Sequence, residues 1–364
     1  MRKVDPRVAV VGATGAVGRM MVRVLHERNF PMSTLKLLAS KRSAGTDIYF
    51  KTGRQMEKFT VEVLSENSLK DCDIALFSAG SQVSKTAAPL AISEGCYVVD
   101  NSSAWRMDPG VPLIVPEVNP SDIAKYWEHG KTGLIANPNC STIQMVVALS
   151  PIHKEVGIKR IVVSTYQSVS GTGQKGVDEL EKQMESWHIA HSILLSKAVK
   201  FWYMENSIRA EDKVYPYPIL SNCIPHIDEF LPDGYTKEEM KMINETRKIL
   251  SEPKMAITAT CVRVPVFYGH AESVNFQTER SISTKDLRDL LSASAGVTVM
   301  DDPAETKYPT QMQARYKDEV FVGRIRKDRS AKNSFNMWVV ADNLRKGAAT
   351  NAVQIAELLL KEHL

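Results

Sequence analysis

The chain has 364 residues, 43% of them apolar and 24% charged, with a formal net charge of +4. That length predicts two ordinary domains or one very large one, and the composition is globular. Acids and bases are interspersed, which argues against a dedicated nucleic-acid surface, and no apolar run reaches the length of about 20 residues that a membrane span needs.

The opening segment runs straight into a strand pattern, so no signal peptide is expected. Five cysteines, widely spaced and without a CxxC pair, argue against a disulfide framework or a zinc site. No metal is expected, and a reducing cytoplasm is.

Residues 7–11, RVAVV, form a short apolar strand pattern, GATGAVG (12–18) follows at once, and RMMVRVLHER (19–28) spaces Met20, Val24 and Leu25 as a helix does. Strand, glycine loop and helix is the setting of a dinucleotide site. Gly12 makes the tight turn, Gly15 lets backbone N–H groups approach a pyrophosphate, and Gly18 packs helix on strand. The helix start faces the phosphates with its partial positive charge. The spacing is GxxGxxG rather than GxGxxG.

TLKLLAS (34–40) predicts a second strand. In NAD-binding folds an acid at its end bonds the ribose 2′-hydroxyl. Here the end reads Ser40-Lys41-Arg42-Ser43. Hydroxyls beside a guanidinium suit a 2′-phosphate, so NADP is predicted over NAD.

CDIALFSAG (72–80), CYVVDNSSAWRM (96–107), PLIVPEVN (112–119) and GLIANPNC (133–140) continue the series of buried strands. Strands alternating with helices predict a parallel, doubly wound sheet with ligands beyond the strands' carboxyl ends. Ser78 to Gly80, Arg106, Asn119 and Cys140 lie at such ends.

After a helix over 141–153 the rhythm changes. Residues 157–173 predict a long strand entering a Gly-rich turn, 256–277 two strands around a Tyr-Gly turn, and 319–343 a hairpin. With an amphipathic helix over 236–250, this is an α+β domain on a mostly antiparallel sheet. Residues 178–215 read as helical, with Trp187, Trp202 and Tyr203 as core or subunit interface. Residues 343–363 predict a helix capped by Asn343 that returns to the first domain, Gly347 to Ala349 allowing close packing. The fold expected is therefore α/β: a Rossmann-type NADP-binding domain over 1–137, completed by 343–364, and an α+β second domain over 138–342.

IANPNCSTIQM (135–145) places Cys140 behind a proline-stiffened turn, at a helix start where backbone N–H groups converge. Such a position lowers a thiol from its ordinary pKa of about 8.5. The same donors stabilise an oxyanion, by about 3 kcal/mol each. His270 is presented by a turn after VFYG. Arg263 alternates with valines; pointing inward it needs an anion, pointing outward it is a surface cation. By residue type alone Arg106, Lys241 and Glu238 are ordinary surface charges, and Gln167 only marks a strand end. Cys72, Cys96, Cys223 and Cys261 read as structural.

Together GATGAVG, NSSAWRMD, NPNCST, YQSVSG, RVPVFYGHAESV and WVVADNLRKGAATNAVQIAELL resemble the aspartate-β-semialdehyde dehydrogenases over nearly the whole chain. The resemblance implies reversible, NADPH-dependent conversion of 4-phospho-L-aspartate to L-aspartate-4-semialdehyde and phosphate, on the route to lysine, threonine, methionine and diaminopimelate. It implies Cys140 as the nucleophile and His270 as acid and base. Gln167 would contact substrate, Arg263 its carboxylate, Glu238 its ammonium, and Arg106 and Lys241 the phosphate; Glu239, next to Glu238, leaves that register open. Cofactor contacts would fall on Thr14, Gly15, Ala16 and Val17, on Arg42 and Ser43, and on Ser170, Gly171 and Asn343. Gly12, Ser40, Ser78 and Gly80 join them by position. The family forms homodimers or homotetramers across the second domain, so the resemblance implies that 138–342 is the catalytic and dimerisation domain.

The chemistry calls for a thiol. Hydride does not readily displace phosphate, but it reduces a thioester, so a cysteine first takes the acyl group and is then regenerated. His270 would take the thiol proton and return one to the hemithioacetal oxygen. An N-acetyl-glutamyl-phosphate reductase would share the loop, the cysteine and the histidine, but needs no carboxylate for an ammonium. Glyceraldehyde-3-phosphate dehydrogenase wants an acid after the second strand, and a non-catalytic NADP sensor has no use for both Cys140 and His270.

Overall fold

The computed structural model describes residues 5–52, 55–127, 133–192 and 213–363, together with 197, 199 and 208. In chain order its first part holds β1 (Arg7–Val11), α1 (Ala16–Glu27), β2 (Thr34–Ala39), an antiparallel hairpin of β3 (Asp47–Thr52) and β4 (Gln55–Thr60), and β5 (Glu62–Val63). Then come β6 (Ile74–Phe77), α2 (Ser81–Ser93), β7 (Tyr97–Asp100), α3 (Asp122–Trp127) and β8 (Leu134–Ala136). Strands β5-β2-β1-β6-β7-β8 form one sheet, parallel at every pairing. Its central strands are buried on both faces, Val8 to Val11 and Ile74 to Phe77 without a break, as an apolar strand covered by helices on either side must be.

Residues 112–119 do not form the strand their apolar content predicts. Pro112, Pro116 and Pro120 remove ladder donors, and only an isolated bridge, Leu113 to Ala136, remains. Asn119 satisfies the backbone instead: its Oδ1 accepts from the Val115 N–H (2.9 Å) and its Nδ2 donates to the Leu113 carbonyl (3.0 Å). It is a structural bracket rather than a ligand contact. The β3–β4 hairpin is an element that the sequence reading does not contain.

The second part begins with α4 (Cys140–Val156) and β9 (Ile158–Gln167), a 3-10 turn over Val169–Thr172, and α5 (Gln174–Ser192). The expected helix over 178–215 is confirmed as far as Ser192; Trp202 and Tyr203 lie outside the described residues, and 213–236 is irregular. There follow α6 (Lys237–Ile249), β10 (Ala256–Arg263), β11 (His270–Thr278), α7 (Thr284–Ser292), β12 (Val297–Val299), α8 (Gln311–Ala314), β13 (Val320–Lys327) and β14 (Ser334–Ala341). The sheet runs β10-β9-β11-β14-β13-β12, with the two outer pairs parallel and the three inner ones antiparallel.

Helix α4 is buried at every residue from Ser141 to Ser150, and its side chains share one continuous core with Ala9 and Phe77 of the first sheet and Val163, Val274 and Phe276 of the second. Packed all round, α4 lies between the two sheets, and the cleft at its start is lined by Val17 and Asn101 of the first part and Gln167 and Arg263 of the second.

The last segment turns back as predicted. Leu344, Ala349, Ala352, Val353, Ala356 and Leu359 pack with Val8, Val10, Met21 and Leu25 of the first part. Its start differs. A π-helical turn, Arg345–Ala349, precedes α9 (Thr350–Glu362). Asp342, not Asn343, does the capping: its Oδ1 accepts from the N–H groups of Leu344 (2.9 Å) and Arg345 (3.2 Å).

Candidate active site

The turn Asn137-Pro138-Asn139 delivers the chain into α4. Asn139 is the N-cap, its Oδ1 accepting from the N–H groups of Ser141 (2.9 Å) and Thr142 (3.2 Å). Cys140 is the first helical residue and half-buried. It lines a cleft of about 400 Å³ together with Gln167, Ser170, Gly171, Glu238, Lys241, Arg263 and Arg106.

The opposite wall is the end of the second sheet. Arg263 pairs with Gln167, and His270 opens β11 next to Ala271, which pairs with Tyr166. Strand pairing thus lays Arg263, Gln167 and His270 in one row. The Arg263 Nη1 donates to the Ser168 carbonyl (2.7 Å), while its Nε is buried without a partner. A Cβ on Gly171 would lie 2.8 Å from that Nη1 and 3.2 Å from His270 Nε2, so a side chain there would displace one group or the other.

His270 is fully buried. Its Nδ1 accepts from the Ser168 backbone N–H (3.1 Å) and lies 3.1 Å from the Ser168 hydroxyl. Because a backbone N–H only donates, the neutral ring carries its proton on Nε2, the atom with no partner. Burial first, then the Arg263 charge, lowers the imidazole to about 3, so the ring is neutral near pH 7. In this arrangement Nε2 is the donor atom of the ring, whereas the sequence reading has His270 take the thiol proton.

The thiol itself also departs from expectation. Burial pushes Cys140 up to about 12, and the Glu238 carboxylate adds to the rise; Arg263, Arg106 and the Ser141 N–H pull the other way and do not win. Burial thus favours the neutral form of both the thiol and the imidazole.

Glu238 is buried, with Oε1 accepting from Asn139 Nδ2 (2.9 Å) and Gln167 Nε2 (3.3 Å), and Oε2 lying 3.3 Å from Lys241 Nζ. Glu239 points elsewhere: it closes a capping box with Thr236 and accepts from the Cys261 N–H (3.0 Å). Of the two, Glu238 is the one that lines the cleft. Lys241 also pairs with Asp228 at 2.6 Å. Arg106 is nearly buried and donates to the carbonyls of Asn137 (3.0 Å) and Asn101 (2.8 Å) and to Glu245 (3.1 Å). Glu245 and Lys248 are residues the sequence reading missed. Their signal was the 3-4-3 spacing of Glu238, Lys241, Glu245 and Lys248, which puts all four on one face of α6.

On the first sheet, Gly12 has φ +84°, and a Cβ there would lie 2.7 Å from the Ser78 carbonyl; one on Gly18 would lie 2.2 Å from the Gly12 carbonyl. Gly15 starts α1 without a side-chain cap, leaving its first N–H groups uncovered. Thr14 and Ala16 complete the turn, and Val17 reaches the cleft. Ser40 and Arg42 are exposed, with half-buried Ser43 in the same turn beyond β2. Ser78 follows β6, and Gly80 precedes α2. Asn343 Oδ1 accepts from the Gly269 N–H (2.9 Å) and its Nδ2 donates to the Ser170 hydroxyl (3.0 Å), tying the His270 turn to the cleft wall. Among the described residues no group of three His, Cys, Asp or Glu could hold a metal ion.

Comparison with known proteins gives two family matches: "Semialdehyde dehydrogenase, NAD binding domain" over residues 7–126 and "Semialdehyde dehydrogenase, dimerisation domain" over 149–346. The chain is 54% identical to the aspartate-semialdehyde dehydrogenase of Aquifex aeolicus, covering 98% of this chain and 99% of that protein. Its fold is similar to the crystal structure of aspartate semialdehyde dehydrogenase II of Vibrio cholerae complexed with ASA, with TM-score 0.88 and 47% identity over 99% of both chains. It is also similar to the Candida albicans enzyme crystallised with NADP, with TM-score 0.72 and 25% identity over 98% of each chain.

Proposed function

The chain belongs to the aspartate-semialdehyde dehydrogenases, and from that premise we propose that Cys140 carries the acyl group while His270 Nε2–H is the hydrogen-bond donor to the acyl oxygen. The activity is that of the family, in amino-acid biosynthesis, on a domain that binds NAD(P). The observation that carries the residue assignment is the convergence of one cysteine, at a capped helix start, with Arg263 and Gln167 around a single cleft, His270 lying buried in the same strand row behind Gly171.

In the proposed sequence the Cys140 sulfur attacks the acyl carbon of 4-phospho-L-aspartate. The S–C bond forms, the C–O bond to phosphate breaks, and the thiol proton leaves on the phosphate. Arg263 holds the substrate carboxylate, Glu238 its ammonium with Gln167 beside it, and Arg106 and Lys241 the phosphate. NADPH, when bound, supplies the hydride that reduces the thioester. His270 Nε2–H donates a hydrogen bond to the acyl oxygen as negative charge develops there, and the Ser141 and Thr142 side of α4 adds its helix-start potential. The oxyanion then reforms its C=O as the C–S bond breaks, releasing aldehyde and a thiolate that takes up a proton from solvent.

NADP is the form of the cofactor we propose, on the glycine loop with Gly12, Thr14, Gly15, Ala16 and Val17. The 2′-phosphate would meet Ser40, Arg42 and Ser43; Ser78 and Gly80 flank the adenosine side, and Ser170, Gly171 and Asn343 the nicotinamide side. Uncovered N–H groups at the α1 start and an exposed guanidinium where an acid would select NAD support this reading, and the Candida albicans relative is described with NADP. We place the domain division at 137/138, with 343–364 completing the first domain.

A homodimer across the second sheet is also proposed. On its outer face Val162, Ser164, Tyr166, Ser273, Asn275 and Trp338 are half-exposed while their strand neighbours are buried, and the matched family is a dimerisation domain. A cytoplasmic location is supported by five free cysteines; no described helix is long and apolar enough to cross a membrane. The test of the function is phosphate-dependent NADP reduction with aspartate semialdehyde against N-acetyl-glutamate semialdehyde. Only the first is expected to turn over, with Cys140→Ala abolishing turnover and preserving NADPH binding. Wild-type rates in Cys140→Ala contradict the reading.

A further inference from the structure

We propose that Glu245 is a positioning residue for acyl transfer: its carboxylate fixes the distance between the Arg106 guanidinium and the peptide that precedes Cys140. This rests on the reading of Cys140 as nucleophile and Arg106 as phosphate ligand.

Arg106 sits in the irregular stretch between β7 and the bridge at Leu113. A residue in such a loop has no strand ladder to locate it and is held by what it bonds. Glu245, 1% exposed, accepts from Arg106 Nη1 at 3.1 Å through Oε1 and from the Asn139 N–H at 2.7 Å through Oε2. Arg106 Nε in turn donates to the Asn137 carbonyl at 3.0 Å. These bonds, with the covalent path through Pro138, form a closed ring: Arg106, Glu245, Asn139, Asn137 and back to Arg106. Lys248, three residues along α6, gives all three of its N–H groups to the loop, to the carbonyls of Arg106, Asp108 and Val111, each at 2.8 Å. One helix face therefore grips the phosphate-side loop and the nucleophile turn together.

Two acceptor atoms of one rigid carboxylate cannot move independently, so the separation of cation and nucleophile is set by the Glu245 side chain. A misplacement of about 1 Å in reacting groups costs roughly 100-fold in rate. The guanidinium keeps two N–H groups outside these bonds, enough to bond a phosphate.

The experiment compares Glu245→Met, Glu245→Gln, Lys248→Gln and Arg106→Lys in the full chain, following phosphate-dependent oxidation of aspartate semialdehyde by NADP. For Glu245→Met a kcat loss of roughly 30-fold and a phosphate KM rise of roughly tenfold are expected, with NADP affinity within about twofold of wild type. Glu245→Gln keeps an acceptor for the Asn139 N–H and is expected to recover part of the kcat loss while the phosphate KM stays high. Glu245→Met that merely lowers Tm, with kcat and phosphate KM unchanged, overturns the proposal. Should Glu245→Met fail to fold, Lys248→Gln carries the test: a raised phosphate KM supports the frame, and an unchanged one overturns it. Arg106→Lys separates the two levels. If it leaves the phosphate KM unchanged, the assignment of Arg106 has failed; if it raises KM while the Glu245 variants do not, only the positioning role has.

Discussion

Gly347 lies against Cys140 so closely that a Cβ on the glycine would come within 2.9 Å of the cysteine Cβ. The contact joins the π-helical turn after β14 to the start of α4, and the Gly347 N–H is held by the Asp342 carbonyl at 3.1 Å, so the turn cannot easily retreat. Gly347→Ala must then push Cys140 from its place. Slower turnover by roughly 100-fold is expected, with NADP affinity little changed. Stopped-flow or steady-state rates beside a cofactor titration check this; a fully active Gly347→Ala enzyme means the helix start has more room than the structure shows.

Gly171 plays a comparable part on the opposite wall. An alanine there would crowd Arg263 Nη1 and His270 Nε2 at once. The predicted result is a higher KM for aspartate semialdehyde together with a lower kcat, roughly tenfold each. A change in cofactor affinity alone would place Gly171 at the cofactor and away from the reacting groups.

The protonation states give a pH prediction whose sign is fixed. With the thiol up at about 12, Cys140 is protonated throughout the neutral range, and its thiolate fraction grows with pH. Alkylation of Cys140 by iodoacetamide in substrate-free enzyme should therefore accelerate roughly tenfold per pH unit from pH 7 to 9. His270, near 3, is uncharged across that range and adds no inflection. A plateau above an inflection near the ordinary histidine value of about 6.5 would instead reveal a thiolate–imidazolium pair.

Arg42 tests the cofactor assignment. Arg42→Ala removes a charge-assisted partner from a 2′-phosphate that NADH lacks. NADPH affinity is expected to fall by roughly tenfold to 100-fold and NADH affinity to stay within about twofold. Equal losses, measured by fluorescence titration, would remove Arg42 from the 2′-phosphate.

Parts of this site were legible in residue order and parts were not, for physical reasons. The glycine loop and Cys140 sit at element boundaries, where periodicity breaks and turn residues announce themselves. Glu238 over Glu239 was also readable in principle, because Thr236 and Glu239 have capping-box spacing and so consume Glu239. Glu245 and Lys248 shared a helix face with Glu238 and Lys241, but that spacing was a weak signal: charges three and four apart on a helix ordinarily mark a solvated face. What buries them is a loop offering backbone carbonyls, and backbone leaves no mark in composition. The His270 tautomer was equally invisible, since the Ser168 N–H that sets it becomes a neighbour only through strand pairing. The apolar stretch at 112–119 misled in the other direction, its prolines outweighing its valines.

The proposed chemistry requires a covalent acyl link to one sulfur. Enzyme mixed with aspartate semialdehyde and NADP in the absence of phosphate, quenched in acid and digested, should yield the peptide containing Cys140 as an aspartyl thioester, lost again when phosphate is added before the quench. An adduct on another residue, or none while NADPH is formed in the first turnover, would contradict it.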